Sequence, residues 1–250
     1  MKINTTIFKA YDIRGVYPEE INESLSYKIC RAFVRFLNGK KLNIVVGRDG
    51  RISSPALFRA IAQGITDENA NVIDIGLATS PMLYWATSYF QFDGGISITS
   101  SHNTAVFNGF KLVREKSIPI SEAAGLKKIK NLVFKEKFRK QGKGKVIKKN
   151  VLKNYVEFIL RDLDFKKNKS FKIAIDTANA VPGILIPEIF KDRNFVIYHL
   201  FPKLDGNFPN HLPNPLLEEN LKALKKMVRE KNADLGIAFD GDGDRVIFVD

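Results

Sequence analysis

Residues 240–245 read Asp240-Gly241-Asp242-Gly243-Asp244-Arg245, three carboxylates at alternate positions with glycines between them. Carboxylate oxygens are hard ligands and glycine lets a short backbone curl tightly, so the pattern suits one Mg²⁺ or Ca²⁺ ion. The competing reading is a polar turn between two strands. Three like charges packed so closely repel unless a cation joins them, which favours the metal. An EF-hand does not fit, because its loop needs glycine where Arg245 stands. Mg²⁺ usually keeps positions open for water and phosphate, which suits phosphoryl chemistry. A second cluster, Thr99-Ser100-Ser101-His102-Asn103-Thr104, sets a hydroxyl beside an imidazole just after an apolar run, as an exposed nucleophile loop would. Such adjacency is also common in ordinary loops. No Gly-x-Ser-x-Gly elbow supports a hydrolase.

Other polar positions are less specific. In Tyr11-Asp12-Ile13-Arg14-Gly15, Arg14 could clamp a phosphate or form an ordinary ion pair. In Gly47-Arg48-Asp49-Gly50-Arg51, Arg48 and Asp49 read as structural and Arg51 as a spare cation near a strand end. His102, His199 and His211 are not at metal-ligand spacing, and His199 falls in a strand pattern. His211 lies in a Pro/Asn-rich run, Asp205 to Pro215, too rigid and polar to be a mere spacer. There is no Gly-x-x-x-x-Gly-Lys-Ser/Thr loop and no Gly-x-Gly-x-x-Gly fingerprint.

These residues must be held by a scaffold, and the chain of 250 residues allows one large domain or two ordinary ones. Its 44% hydrophobic and 27% charged residues exclude wholesale disorder. The net charge is +13, but residues 127–149 hold eleven Lys or Arg against one acid, Glu136. That block reads as a solvated linker or helix face; without ordered aromatic interleaving, a nucleic-acid partner is not expected. No apolar run reaches membrane-spanning length, the opening residues lack a secretory signal, and Cys30 has no cysteine to pair with. A cytoplasmic protein without a membrane partner is expected.

Apolar spacing predicts helices over 19–37, from Pro55, after Pro81 and over 121–133, with strands at 42–46, 72–75, 95–99 and 110–113. Residues 135–149 show no period and read as a connector. Beyond them come a helix over 152–163, strand 171–176, a helix near Pro182, strand 195–200, a loop over 201–215, helix 216–231, and strands 234–239 and 246–249. Strand–helix alternation on both sides predicts two α/β domains, 1–140 and 150–250, with largely parallel sheets.

Together the motifs resemble the α-D-phosphohexomutase family, in particular its phosphomannomutase/phosphoglucomutase group. Four blocks occur in the family order: Tyr11–Gly15, Thr99–Asn103 with Asn108-Gly109-Phe110-Lys111, Asp205–Pro215, and Asp240–Arg245. The resemblance implies two consecutive phosphohexomutase-type α/β domains with mixed, largely parallel sheets, the first carrying a phosphoserine loop and the second a metal loop. It places Ser101 on the phosphorylated serine, and Ser101, Asp240, Asp242 and Asp244 on the Mg²⁺ site. Arg14 and Arg245 fall near the phosphoserine. Asn103, Lys111 and His211 join the two arginines in binding substrate or phosphate. Either His102 or Lys111 takes the sugar hydroxyl's proton. The implied reaction interconverts hexose 1-phosphate and 6-phosphate, mannose or glucose, through a hexose 1,6-bisphosphate.

The sequence departs from the family at three points. Thr104 replaces a proline that would stiffen the serine loop. Ala178 and Ala180 replace glycines in the turn after the second domain's first strand, at a cost wherever φ must be positive. The family's third and fourth domains have no counterpart here. Two alternatives follow. One is a truncated or split mutase that binds Mg²⁺ and phosphate but needs a separate chain carrying those domains. The other is a non-enzymatic anion- or nucleic-acid-binding module using residues 127–149.

Overall fold

The protein is described from a computed structural model covering residues 4–135, 137–163, 170–191 and 193–250. Glu136 of the basic block and the first three residues, Met1 to Ile3, lie outside the described residues. The chain forms two compact units. One holds Met1–Ser100 and Val106–Asn150, and the other holds Ser101–Ala105 and Val151–Asp250.

The first unit is built on β1 (Ile13–Val16), β2 (Asn43–Arg48), β3 (Asn71–Leu77), β4 (Gly94–Ile98), β5 (Phe107–Arg114) and β6 (Val146–Lys148), in the order β1-β5-β4-β2-β3-β6. The pairs β4–β2, β2–β3 and β3–β6 are parallel, while β1–β5 and β5–β4 are antiparallel. Helices α1 (Glu23–Leu37), α2 (Ser54–Asp67), α3 (Ser80–Tyr89) and α4 (Lys127–Lys135) complete it. Ile29 and Phe33 of α1 and Leu57, Ile61 and Ile65 of α2 are fully buried with Ile44 and Val46 of β2. Helix α1 begins four residues later than its apolar spacing predicts. The Asn22 side chain accepts from the Leu25 N–H at 3.0 Å, and Val16 N–H bonds back to Glu20, so residues 17–22 form a turn and cap.

Two strands fall where the sequence pattern predicts none. β1 carries Arg14 and Gly15, which conceal it. β6 lies inside the segment read as a connector. That segment is tied to the first unit rather than spanning free. The buried Arg31 donates to the Arg139 carbonyl at 2.6 Å and to Glu68 at 2.6 Å. Gln141 N–H reaches Asp67 O at 2.8 Å, and Gly144 N–H reaches Thr66 O at 2.9 Å. Arg51 is not a spare cation. It is 1% exposed, bonded through Nε to Asp49 Oδ2 and through Nη1 to Phe107 O, both at 3.0 Å.

The second unit has four strands in the order β10-β9-β7-β8: β7 (Phe171–Asp176), β8 (Phe195–Leu200), β9 (Leu235–Phe239) and β10 (Val246–Val249). β8, β7 and β9 are parallel, and β10 returns antiparallel to β9. Helices α5 (Leu152–Leu160), α6 (Ile186–Phe190) and α7 (Lys222–Lys231) pack with it. Alternation along β7 sends Ile173 and Ile175 into one apolar cluster with Ile186, and Ala174 into another with Leu224 and Val228. The helices predicted near Pro182 and over 216–231 each open with a 3₁₀ turn, Val181–Ile184 and Glu218–Leu221. Among the described residues no helix is long and apolar enough to cross a membrane.

Candidate active site

Because β7, β8 and β9 are parallel, their C-terminal ends open onto one edge of the sheet. There lie the loops 177–180, 201–215 and 240–245, the position where open α/β sheets bind ligands. The Ser101–Ala105 segment packs with this unit.

The acidic loop joins β9 to β10. Asp240 N–H bonds to the Arg245 carbonyl at 3.2 Å, which closes the hairpin. Gly243 sits at φ +70°, where a side chain would be strained. Gly241 is required for another reason: a Cβ there would lie 2.3 Å from the Ser101 carbonyl oxygen, so the backbones of the serine and acidic loops touch. Ser101 itself holds φ +51°, an unfavourable conformation for a residue with a Cβ, at roughly 1–2 kcal/mol.

Ser101 is 4% exposed and Asp240 fully buried. The Ser101 hydroxyl donates to Asp240 Oδ2 at 2.7 Å. Arg245 Nη2 donates to Ser101 Oγ and to Asp240 Oδ2, each at 2.8 Å, and also to His102 Nδ1. A guanidinium has no lone pair to offer, so Nδ1 accepts and a neutral His102 carries its proton on Nε2. His102 Nδ1 is 3.5 Å from Ser101 Oγ, so the proton acceptor of the hydroxyl is Asp240. The serine expected on an exposed loop is itself buried, while His102 and Asn103 beside it are partly exposed and Thr104 is exposed.

Asp240, Asp242 and Asp244 each offer one oxygen, all within 4.8 Å of one another. Burial, then the charge of Asp242, pushes the Asp240 carboxyl up to about 6, with Asp244 adding to the rise and Ser101 and Arg245 opposing it. Three carboxylates face one guanidinium, and the excess negative charge fits a hard divalent cation.

The structure thus brings together Ser101, His102, Asp240, Asp242, Asp244 and Arg245 in the second unit. Asn103 belongs to the same segment. His211 is half-buried, its Nε2 3.0 Å from Asp176 Oδ2 and its Nδ1 2.8 Å from the Leu212 carbonyl. Arg14 and Lys111 stand in the first unit. Arg14 on β1 pairs with Asp12, its Nε 3.0 Å from Oδ1, and Lys111 on β5 lies opposite Ser97 of β4. Sequence reasoning did not single out Asp176, the partner of His211; an acid closing a buried strand was the available signal. Asn108, named in the serine-loop block, is fully buried in the first unit and donates to the Ser53 and Ser54 hydroxyls at 2.8 and 3.1 Å.

A serine, a carboxylate triad and an arginine thus gather beyond the C-terminal ends of the parallel strands of an α/β unit. Comparison with known proteins gives the family. Residues 5–140 match phosphoglucomutase/phosphomannomutase alpha/beta/alpha domain I, and residues 153–250 match domain II. The chain is 41% identical over 256 residues to a phosphomannomutase of Vibrio cholerae, covering 98% of this chain and 55% of the relative. It is 38% identical to a phosphomannomutase/phosphoglucomutase of Pseudomonas syringae, covering 96% of this chain and 51% of the relative. The crystal structure of a phosphoglucomutase/phosphomannomutase family protein from Burkholderia thailandensis superposes with a TM-score of 0.90 at 35% identity, over 99% of this chain and 55% of that one. The chain belongs to the phosphoglucomutase/phosphomannomutase family. It spans about half the length of the curated relatives it matches.

Proposed function

We propose that this chain carries the phosphoserine and metal half of a phosphohexomutase acting on mannose or glucose phosphates, in the cytoplasm. The observation that carries the reading is the Ser101 hydroxyl held between Asp240 and Arg245, with the Asp242 and Asp244 carboxylates gathered beside that of Asp240. A phosphoserine carries about −1.5 to −2 charges, which a bare carboxylate cluster would repel. Asp240, Asp242 and Asp244 would hold Mg²⁺, which when bound supplies positive charge to the transferring oxygens.

The remaining work falls to the chain itself. Arg245, already on Ser101 Oγ, binds the phosphoryl oxygens, with Arg14 and Asn103 assigned to the same task. In the forward step the Ser101 O–P bond breaks and a bond forms from phosphorus to the sugar's free hydroxyl oxygen. That hydroxyl's proton passes to Lys111, or to His102 at Nδ1 once Arg245 has turned from it to the phosphoryl oxygens, the departing Ser101 oxygen takes up a proton, and the product is a hexose 1,6-bisphosphate. The reverse step returns the sugar's other phosphate to Ser101. Added hexose 1,6-bisphosphate would prime the serine.

The test is transfer of ³²P from labelled glucose 1,6-bisphosphate in Mg²⁺. Label is expected on the wild type and absent from Ser101→Ala. Equal labelling of both proteins would overturn the reading. His102→Ala and Lys111→Ala identify the base by which of them abolishes transfer from phosphoserine to sugar.

The coverage of the relatives favours a second element of the proposal: turnover needs a polypeptide matching the rest of their length. By loss of remote binding energy, its absence lowers kcat as well as raising KM. Mutase activity that rises when the corresponding half of a relative is added supports this, and full activity without it refutes it.

A further inference from the structure

The sequence reading gives His211 to phosphate, yet its ring points into the protein. Asp176 ends β7 and is 1% exposed; its Oδ1 accepts from Ala178 N–H at 2.8 Å and its Oδ2 meets His211 Nε2 at 3.0 Å. The other ring nitrogen meets the Leu212 carbonyl at 2.8 Å. A carboxylate and a carbonyl have no hydrogen to give, so both contacts are hydrogen bonds only when both ring nitrogens carry protons, the imidazolium form that this pair of acceptors favours. The Phe201 ring closes on it edge-on, centroids 5.4 Å apart. Asn179 accepts from Asn210 Nδ2 at 2.7 Å and from Asp205 N–H at 2.9 Å, pinning the same loop from its other end.

One residue past Leu212, the Pro213 carbonyl accepts the N–H of Gly241 at 3.2 Å. Gly241 is the residue whose Cα lies against the Ser101 carbonyl. A continuous path of bonds and contacts therefore runs from His211 through Leu212, Pro213 and Gly241 to Ser101. We propose that the Asp176–His211 ion pair is a brace for the acidic loop, holding the Pro213 carbonyl where it fixes Gly241 and so seats Asp240 beside Ser101. These are positioning residues; their bearing on phosphoryl transfer rests on the function proposed above.

Hydrogen exchange tests the brace without relying on that function. In His211→Gln, whose amide offers a donor at only one end, the Gly241 amide is expected to exchange about tenfold faster, while amides of β7 and α7 keep their wild-type rates. Asp176→Asn, which keeps the shape and removes the charge, gives the same selective pattern and serves where the first variant folds poorly. An unchanged Gly241 amide, or an acceleration shared equally by β7 and α7, would overturn the proposal.

Calorimetric titration with Mn²⁺ adds the link to function. Affinity is expected to fall about tenfold in either variant, the effect of disturbing the support of a metal site. Selective exchange in a wild type with no Mn²⁺ affinity would remove the metal reading and keep the brace. Wild-type affinity with unchanged exchange and affinity in both variants would remove the brace and keep the metal reading.

Discussion

Two turns in this molecule are made of the same three residue types. Gly47 to Arg51 follows β2 in the first unit, and Asp240 to Arg245 follows β9 in the second. In the first, a single carboxylate is saturated: Asp49 accepts from Arg51 N–H at 3.0 Å, Arg51 Nε at 3.0 Å and the Ser54 hydroxyl at 2.8 Å. Asp49 and Arg51 match one to one and both are buried, while the turn's other arginine, Arg48, pairs with Asp74 outside it. In the second, three carboxylates share one arginine, and that guanidinium, 30% exposed, also reaches a serine and a histidine. Residue type does not separate a structural turn from a candidate site. Charge balance does, because a buried excess of one sign has to be met by something the chain does not supply.

The comparison breaks most sharply at its arginines. Arg51→Ala would strand a buried Asp49 carboxylate and is expected to cost about 3–5 kcal/mol, read as a fall in the denaturation midpoint. Arg245→Gln should cost much less, since its side chain is partly solvated; equal losses would erase the distinction. Next in size is Asp242→Asn. Removing one of three ligands should weaken Mn²⁺ affinity on the order of 100-fold by calorimetry, while the metal-free protein keeps its stability or gains some as repulsion at Asp240 is relieved. An unchanged affinity would make the second turn as structural as the first.

Ala178 gives a smaller effect. It holds φ +49°, whereas Ala180 is extended at φ −100°, so the expected glycine penalty applies at one of the two positions. Ala178→Gly should raise stability by about 1 kcal/mol in thermal or urea unfolding, and Ala180→Gly should not. The smallest effect concerns pH. The Asp176 carboxylate and the Leu212 carbonyl raise His211 above 6.5 despite its burial, whereas burial lowers the neighbouring His199. The His211 contribution is complete below pH 6.5 and is lost as pH rises through its folded value. The His199 effect runs the other way, costing stability as pH falls below 6.5. Stability of His211→Gln relative to wild type should therefore converge with rising pH; a gap independent of pH would sink the ion pair.

Much of this was readable before the fold was known. The strands at 171–176 and 195–200 begin and end where their apolar patterns do. The acidic block suggests a metal site by composition, whereas the serine block takes on a phosphate reading only through its resemblance to the family. β1 escaped because an arginine and a glycine occupy the middle of a four-residue strand. β6 escaped because an edge strand with all three residues exposed has no apolar face to betray it. The partners of Arg51 and His211 were illegible for a different reason. Phe107 lies 56 residues from Arg51 and Asp176 lies 35 from His211, and spacing along the chain carries no information about contacts that sheet topology creates.

β6 has a consequence for the behaviour of the protein in solution. Among the described residues it pairs with β3 alone, and Val146 and Ile147 are 51% and 43% exposed. An open strand carrying aliphatic side chains invites a second chain to add to the sheet. Lys145, Lys148 and Lys149 flank those two residues, so any copy docking there in antiparallel register would bring like charges together. The basic block thereby opposes pairing of one open edge with another, and replacing those three lysines by uncharged residues is expected to raise self-association, read by sedimentation.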